Sequence, residues 1–374
     1  MTKRALIFSI AYYPHVGGAE IAVKEITDRV SDIEWHMVTC ALSPNLPQQE
    51  KIGMVHVHRV SCPKYLFPFV AWRYARKLHT HTPFDFTWSI MAAYAGFANL
   101  FFKITHVNVP FLLTLQEGDP IEYIKRKVWF IYPLFRLIFK RADKVQAISK
   151  FLASFGRDMG HDKPIEVIAN GVDVPLFSQH ISDEVKNVLR VRMSKQENDV
   201  YLVTTSRLVR KNAVDDIISA LAILPSFLSL VIIGQGEEGQ RLSEQAEQLG
   251  VIDRVKFVGF IPHEDIPIYF SICDIFVRPS RSEGFGNSFI EAMAAGLPVV
   301  ATPVGGIVDF IDDQETGVFC CPDNPKSLAE AIMSLVDNHQ LVKKIVAGGY
   351  ERVVSEYSWD HIAQKMRDQV FNTL

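Results

Sequence analysis

Short apolar runs of strand length recur through the first half of the chain: ALIFSI (5–10), WHMVTC (35–40), VHVHRV (55–60), FDFTWSI (84–90), FLLTLQ (111–116), KVQAIS (144–149) and IEVIA (165–169). Between most of them lie longer stretches whose apolar residues recur at helical spacing, such as GAEIAVKEITDRVS. The second half repeats the alternation with VYLVTTS (200–206), LSLVIIG (228–234), VKFVGF (255–260), CDIFVRPS (273–280), LPVVATP (297–303) and TGVFCC (316–321). Segments such as NAVDDIISALAIL and EEGQRLSEQAEQL fill its gaps. Strand and helix in alternation predict an α/β fold, a parallel sheet covered by helices on both faces. The polar, weakly patterned stretch 174–198 separates the halves and reads as a linker. The expectation is two doubly wound domains, 1–175 and 176–357, facing across a cleft that holds a ligand at the carboxyl ends of the strands.

Composition fits that division. At 374 residues the chain is long for one core, and with 48% hydrophobic and 22% charged residues it is globular. The opening MTKRALIFSIAYYPHVGG sets a short apolar run, Ala5 to Ile10, after two basic residues. A glycine turn follows in place of a small-residue cleavage site, so a first strand is expected rather than a signal peptide. No uncharged stretch approaches the roughly 18 residues of a membrane span. Five cysteines (40, 62, 273, 320 and 321) are scattered without metal-ligand spacing, which predicts reduced thiols and a cytoplasmic location.

The net charge of −3 is unevenly spread: residues 1–175 carry 21 Lys and Arg against 15 Asp and Glu, and residues 176–374 carry 18 against 27. The first half is therefore expected to meet an anionic partner. KYLFPFVAWRYARK (64–77) and KRKVWFIYPLFRLIFKRADK (125–144) concentrate the charge among aromatics. Each segment suits a basic amphipathic helix lying on an anionic membrane surface, and equally a core-packing helix with a solvated basic face. No nucleic-acid partner is expected.

LSLVIIGQGEEG contains G-x-G-x-x-G (Gly234, Gly236, Gly239) after a strand and before a helix, the dinucleotide-binding pattern. Glu237 and Glu238 argue against it, because they stand at the helix N-terminus where a pyrophosphate would bind. A better diphosphate site is SRLVRKN (206–212), where Arg207 offers a planar fork and Lys211 a compact second charge at a strand's carboxyl end. No D-x-D occurs in the chain, so no carboxylate pair is set to hold a divalent metal against a diphosphate, and fixed cations take that part. RSEGFGNSFIEA (281–292) places Phe285, Gly286 and Asn287 at the start of a helix, with backbone N–H groups facing negative charge. Its glutamates, Glu283 and Glu291, are eight residues apart, about 12 Å if helical throughout. That spacing suits a diphosphate with a hydroxylated ring at each end, one glutamate gripping a sugar and the other a ribose. HVGGAE (15–20) closes the first strand with Gly17 and Gly18, which let a ligand approach the backbone.

In order and spacing, GGAE, NGVD (170–173), SRLVRKN, IIGQGEE, FVGFIP and EGFGNSFIEAMAAGLPVVATPVGG resemble glycosyltransferase family 4, the group 1 glycosyltransferases. These are retaining enzymes of the GT-B fold that use nucleotide-sugar donors. The resemblance implies that Arg207 and Lys211 are the cations for the donor diphosphate and Glu291 the ribose ligand. Glu283, with Gly284 and the backbone of Phe285 and Gly286 and beside Asn287, would hold the transferred sugar. Gly18, next to Gly17, would approach the diphosphate from the acceptor-binding domain. Val258 to Ile261, with Gly259 and Phe260, would lie by the base, and a last helix, roughly 358–372, would cross back to the first domain. No cofactor or metal is implied.

TLQEGD (114–119) departs from the family pattern, since Gln116 stands where many relatives have His, followed by Glu117 and Asp119. An imidazole beside the sugar is then unavailable. Front-face attack, in which the donor's own phosphate oxygen takes the acceptor proton, does not need one. The expectation is a metal-independent transferase moving a hexose from a UDP- or GDP-sugar to a glycan or lipid-linked acceptor in surface-polysaccharide assembly, cytoplasmic and peripheral on the inner face of the membrane. The alternatives are a GT-B-type sugar-nucleotide epimerase and a nucleotide-sugar-binding protein without catalysis.

Overall fold

The computed structural model describes residues 2–374 and divides into two compact units. The first runs to Gly171 and takes in Trp359–Leu374; the second is Val172–Ser358. Strands of the first are β1 (Lys3–Phe8), β2 (Ile33–Cys40), β3 (Gln49–Ile52), β4 (Val55–Val60), β5 (Phe86–Ile90), β6 (Phe111–Leu115), β7 (Lys144–Ala147) and β8 (Ile165–Val167). They form one sheet in the order β3-β4-β2-β1-β5-β6-β7-β8, parallel except for the β3–β4 hairpin. The apolar runs became its strands. The hairpin arm β3, QEKI, was not expected, because this polar edge strand buries no residue and so leaves no apolar alternation in the sequence.

In the second unit β9 (Val200–Thr205), β10 (Leu228–Ile233), β11 (Val255–Gly259), β12 (Ile275–Arg278), β13 (Val299–Ala301) and β14 (Val318–Phe319) form a parallel sheet ordered β11-β10-β9-β12-β13-β14. Helices Val214–Ile223, Gly239–Gln248 and Pro325–Val336 bury Ile217, Leu221, Leu242, Ala246, Leu328 and Ile332 in its core. In each sheet the order reverses beside the first strand, between β1 and β5 and between β9 and β12. Loops leaving the carboxyl ends of those strands diverge there and leave a crevice, the place where open α/β sheets bind ligands.

The stretch 174–198 is not a linker. It is mostly helical, Val174–Phe177 and Asp183–Met193, and lies within the second unit. The Asp173 and Ser182 side chains accept N–H groups at the two helix starts, at 3.0 and 3.4 Å. Asp183 and Glu184 in the first turn of the longer helix, with Arg190 and Arg192 in its last, complement its dipole. Only Leu189 and Met193 of that helix are buried, a stripe too thin to stand out as a periodicity.

Helix Trp359–Lys365 and the turns after it belong to the first unit. Trp359, Ile362, Met366, Val370 and Phe371 complete one of its cores, and the Phe371 ring lies 5.1 Å from Trp35 and 5.3 Å from Trp88. Gly171 is required where the chain leaves this unit, since a Cβ there would meet the Trp359 ring at 2.7 Å. Replacing Phe371 by Ala should cost about 3–5 kcal/mol in the first unit, read from urea unfolding followed by tryptophan fluorescence. A loss below about 1 kcal/mol would mean that the C-terminal segment only decorates the domain.

Candidate active site

The carboxyl ends of β9 and β12, adjacent strands in the second sheet, carry most of the residues singled out from the sequence. After β9 the chain passes through exposed Arg207 and half-buried Lys211 into the turn Arg210–Asn212 and helix Val214–Ile223. After β12 it runs through Glu283 and Gly284 to helix Asn287–Ala294, whose N-terminus Gly286 opens at φ +104°, a conformation glycine adopts without strain. A Cβ at Gly286 would also strike the Phe289 ring, 2.7 Å away.

Arg278, the last residue of β12, ties these loops together. It is 9% exposed and donates to Glu283 Oε2 at 2.5 Å, to Asn212 Oδ1 at 3.0 Å and to Ser288 Oγ at 2.7 Å. Its guanidinium carbon lies 5.7 Å from the centre of the Phe289 ring. Asn212 in turn donates to the Arg207 carbonyl at 2.7 Å. One buried cation thus fixes the Arg207 loop, the Glu283 carboxylate and the start of the helix. Glu283, 8% exposed, also accepts the Gly284 N–H at 3.2 Å, while its own carbonyl accepts the Gly306 N–H at 3.1 Å. Phe285 is buried against Phe310 and Tyr357, so only its backbone faces the loop.

Glu291, buried one turn into the helix, pairs with His263 at 2.9 Å, its Oε1 accepting the N–H of His263 Nε2. His263 follows β11 and the Gly259–Phe260 turn, where Phe260 is exposed and the Gly259 carbonyl accepts the Gly234 N–H at 2.8 Å. The β11 turn and the helix after β12 are therefore brought to one edge. Beside Lys211, Arg281 donates its own N–H to the Lys211 carbonyl at 2.7 Å and its side chain to the Arg210 carbonyl, Asp215, Asp216 and Asp323. Burial alone would raise the Asp215 carboxyl, yet the hydrogen bonds and charge of Arg281 hold it low. Burial carries Asp216 the other way, to about 6.

The glycines of the dinucleotide-like pattern have a packing role. A Cβ on Gly234 would meet the Ser206 carbonyl oxygen at 1.9 Å, and one on Gly236 the Leu208 carbonyl oxygen at 2.2 Å. The Leu208 N–H donates to the Gln235 carbonyl and the Leu208 carbonyl accepts the Glu238 N–H, both at 3.0 Å. That turn clamps the backbone on either side of Arg207, and Glu238 pairs with Arg241 at 2.5 Å. Close approach of a chain segment accounts for Gly234 and Gly236, while a Cβ at Gly239 would meet only the Leu208 side chain at an ordinary 3.6 Å.

In the first unit Gly17 and Gly18 lie exposed at the start of helix Gly18–Arg29, with the Gly17 N–H donated to Glu20 at 2.8 Å. Buried Arg59 on β4 holds the loop before them, donating to the Tyr13 carbonyl at 2.7 Å. Sequence reasoning missed Arg278, Asn212, His263, Arg281 and Arg59. A signal existed for Arg278, a charge in an otherwise apolar strand run, which must be paired when buried.

Two Rossmann-like parallel-sheet domains, the second with cations and carboxylates around its switch point, define the GT-B class of fold. The family model of glycosyl transferases group 1 matches residues 185–352 and that of glycosyltransferase family 4 matches residues 16–175. Together the two span most of the chain, which belongs to this glycosyltransferase family. Among its relatives is a glycosyltransferase of Methanocaldococcus jannaschii, 32% identical over 54% of this chain and 52% of its own. Another, the GDP-mannose-dependent alpha-(1-6)-phosphatidylinositol monomannoside mannosyltransferase of Mycobacterium tuberculosis, is 28% identical over 64% of this chain and 66% of its own. The chain thus spans about half of the first relative and just under two thirds of the second. Among solved structures, HepE of Anabaena in complex with UDP and glucose superposes with a TM-score of 0.84 over the full length of both chains at 22% identity.

Proposed function

We propose that the protein is a retaining glycosyltransferase that moves a hexose from a UDP- or GDP-sugar to a hydroxyl of a glycan or glycolipid, in surface-polysaccharide assembly. The observation that carries this reading is the convergence, at the β9/β12 switch point, of two cations, a helix N-terminus and two buried carboxylates, all tied through Arg278 or the helix it anchors. In this reading Arg207, Lys211 and the N-terminus of helix Asn287–Ala294 face the diphosphate, Glu283 the sugar and Glu291 the ribose. HepE, of the same fold, binds UDP and glucose, and the mycobacterial relative is named for GDP-mannose, which keeps both bases in play.

The chemistry asked of the residues is modest. The bond from the anomeric carbon to the diphosphate breaks, and the acceptor oxygen forms its bond on the same face of the sugar. The leaving phosphate oxygen takes the acceptor's proton. Negative charge grows on that diphosphate, and fixed cations offset it without a divalent metal. Glu283 and Glu291 measure the donor's length and exchange no proton.

Turnover of UDP-glucose and GDP-mannose tests this. Release of free nucleoside diphosphate should require an acceptor, survive EDTA, and fall about 100-fold or more in Lys211→Ala with the melting temperature unchanged. Release without an acceptor would favour an epimerase, and full activity of Lys211→Ala would sink the site assignment. Glu283→Ala is a poor probe, because it strands the buried Arg278 charge and costs stability as well as function.

We also place the protein on an anionic membrane surface through the first unit. No helix among the described residues is long and apolar enough to cross a membrane. Helix Phe67–His81 buries Phe67, Ala71 and Ala75, and helix Tyr132–Arg141 buries Phe135, Ile138 and Phe139, so both pack on the core. Between them, helix Ile121–Lys127 buries no residue, and Trp129 and Phe130 after it are 73% and 67% exposed beside Lys125, Arg126 and Lys127. Aromatics with a basic cluster match a headgroup layer. The protein should float with phosphatidylserine-containing liposomes, and Trp129→Ser with Phe130→Ser should abolish this. Equal recovery on neutral liposomes would defeat the proposal.

A further inference from the structure

Within the second unit, one contact at the edge of the donor site has no part in the reaction as written above. Glu291 is the only charged residue of helix Asn287–Ala294, in which every residue from Ser288 onward is buried. A carboxylate in such surroundings needs a partner. His263 supplies it, donating its Nε2–H to Glu291 Oε1 at 2.9 Å. The imidazole comes from the turn His263–Asp265, which follows β11 and the Gly259–Phe260 turn, and its side chain is 31% exposed. The buried ring of Phe177 lies against it, with centroids 5.4 Å apart and planes at 64°. Phe177 in turn packs on Phe270, in the short helix that continues from the His263 turn. The imidazole is thus seated by an aromatic contact as well as by the carboxylate.

Joining a turn to a helix does not by itself call for a charge. An apolar pair of similar volume holds two such elements without taking a carboxylate out of water. What a carboxylate adds is a second oxygen with its own lone pairs. The terminal torsion of a glutamate is otherwise broad and would be lost on binding a ligand. With Oε1 already engaged, that torsion is set before a ligand arrives, and Oε2 is presented in a defined plane.

We propose that His263 is a positioning residue for the ribose of the nucleotide: by holding Glu291 Oε1 it orients Oε2 to accept from a ribose hydroxyl. This rests on the reading of Glu291 as the ribose ligand. A hydroxyl suits a carboxylate oxygen because it donates to it, whereas a phosphate would be repelled. His263 also lies just beyond the segment Val258–Ile261 that this reading sets by the base, so one short stretch of chain meets the base and orients the ribose ligand.

The test compares the wild-type full chain with Glu291→Leu, His263→Phe and His263→Gln, using thermal unfolding to check the fold. Calorimetry measures affinity for UDP and GDP and for the 2′-deoxy and 3′-deoxy forms of whichever binds. The wild type should bind the ribonucleotide about 10-fold tighter than at least one deoxy form, and Glu291→Leu should lose that preference. His263→Phe keeps a ring against Phe177 but removes the donor. It should lose most of the preference while binding the deoxy form as before, and His263→Gln, whose amide donates, should recover it. A contact that only braces the turn would not give this pattern, because a loosened turn weakens ribo- and deoxynucleotides alike. A folded His263→Phe with the wild-type preference overturns the proposal, as does a His263→Gln that behaves like His263→Phe. If His263→Phe does not fold, His263→Ala at this partly exposed position gives the same comparison. Glu291→Leu with the preference intact would refute the ribose assignment and the proposal with it, and a wild type that binds no nucleotide would refute the glycosyltransferase reading itself.

Discussion

The arrangement of the second unit depends on a guanidinium buried at the end of a strand. Arg278 emerges from β12 where water is excluded and must find partners, because an unpaired charge there would cost several kcal/mol. It takes one partner from each element around it: Asn212 from the β9 loop, Glu283 from its own loop and Ser288 from the helix that follows. Replacing such a network by apolar side chains of similar volume often leaves stability unchanged or improves it. Its presence is therefore better explained by what it positions. Without it, the Arg207 backbone, the Glu283 carboxylate and the helix N-terminus are three separate loop features; with it, they are one rigid surface.

The neighbouring contacts follow the same logic of approach and clamp. Gly234 and Gly236 admit the Ser206 and Leu208 carbonyls, and at Gly305, φ +57°, a Cβ would meet the Glu283 carbonyl oxygen at 1.9 Å. Each side of the site is thus held by backbone packed directly on backbone. Arg281 does the corresponding work beside Lys211, holding two carbonyls of its turn while three aspartates neutralise the guanidinium. In the proposed reading, the backbone that carries Arg207 and Lys211 is held before a diphosphate arrives, the condition under which electrostatic stabilisation is most effective.

Much of this was legible in the chain itself, for particular reasons. ALIFSI and LSLVIIG are continuous apolar runs because strands in a parallel sheet are covered on both faces, so the two sheets stood out. The site glutamates stood out because EGFG sits between a strand run and a helix run. The β3 edge strand and helix Asp183–Met193 did not, since both bury too little to leave a periodicity. His263 gave no signal, because its role comes from the β11 turn lying against a helix that begins more than twenty residues later, a proximity made only by strand order. The G-x-G-x-x-G pattern, set aside in the sequence because of Glu237 and Glu238, finds its reason in the fold: Gly234 and Gly236 mark close approach, and the approaching partner is the chain.

The claim that Arg278 organises the donor site is tested most directly by a double-mutant cycle between Arg278→Met and Glu283→Gln, read in kcat/KM for nucleotide-sugar turnover. If the two residues act as one unit, the double variant should be hardly worse than either single one, with a coupling of about 1–3 kcal/mol. Losses that simply add would contradict the account and reduce Arg278 to a structural ion pair.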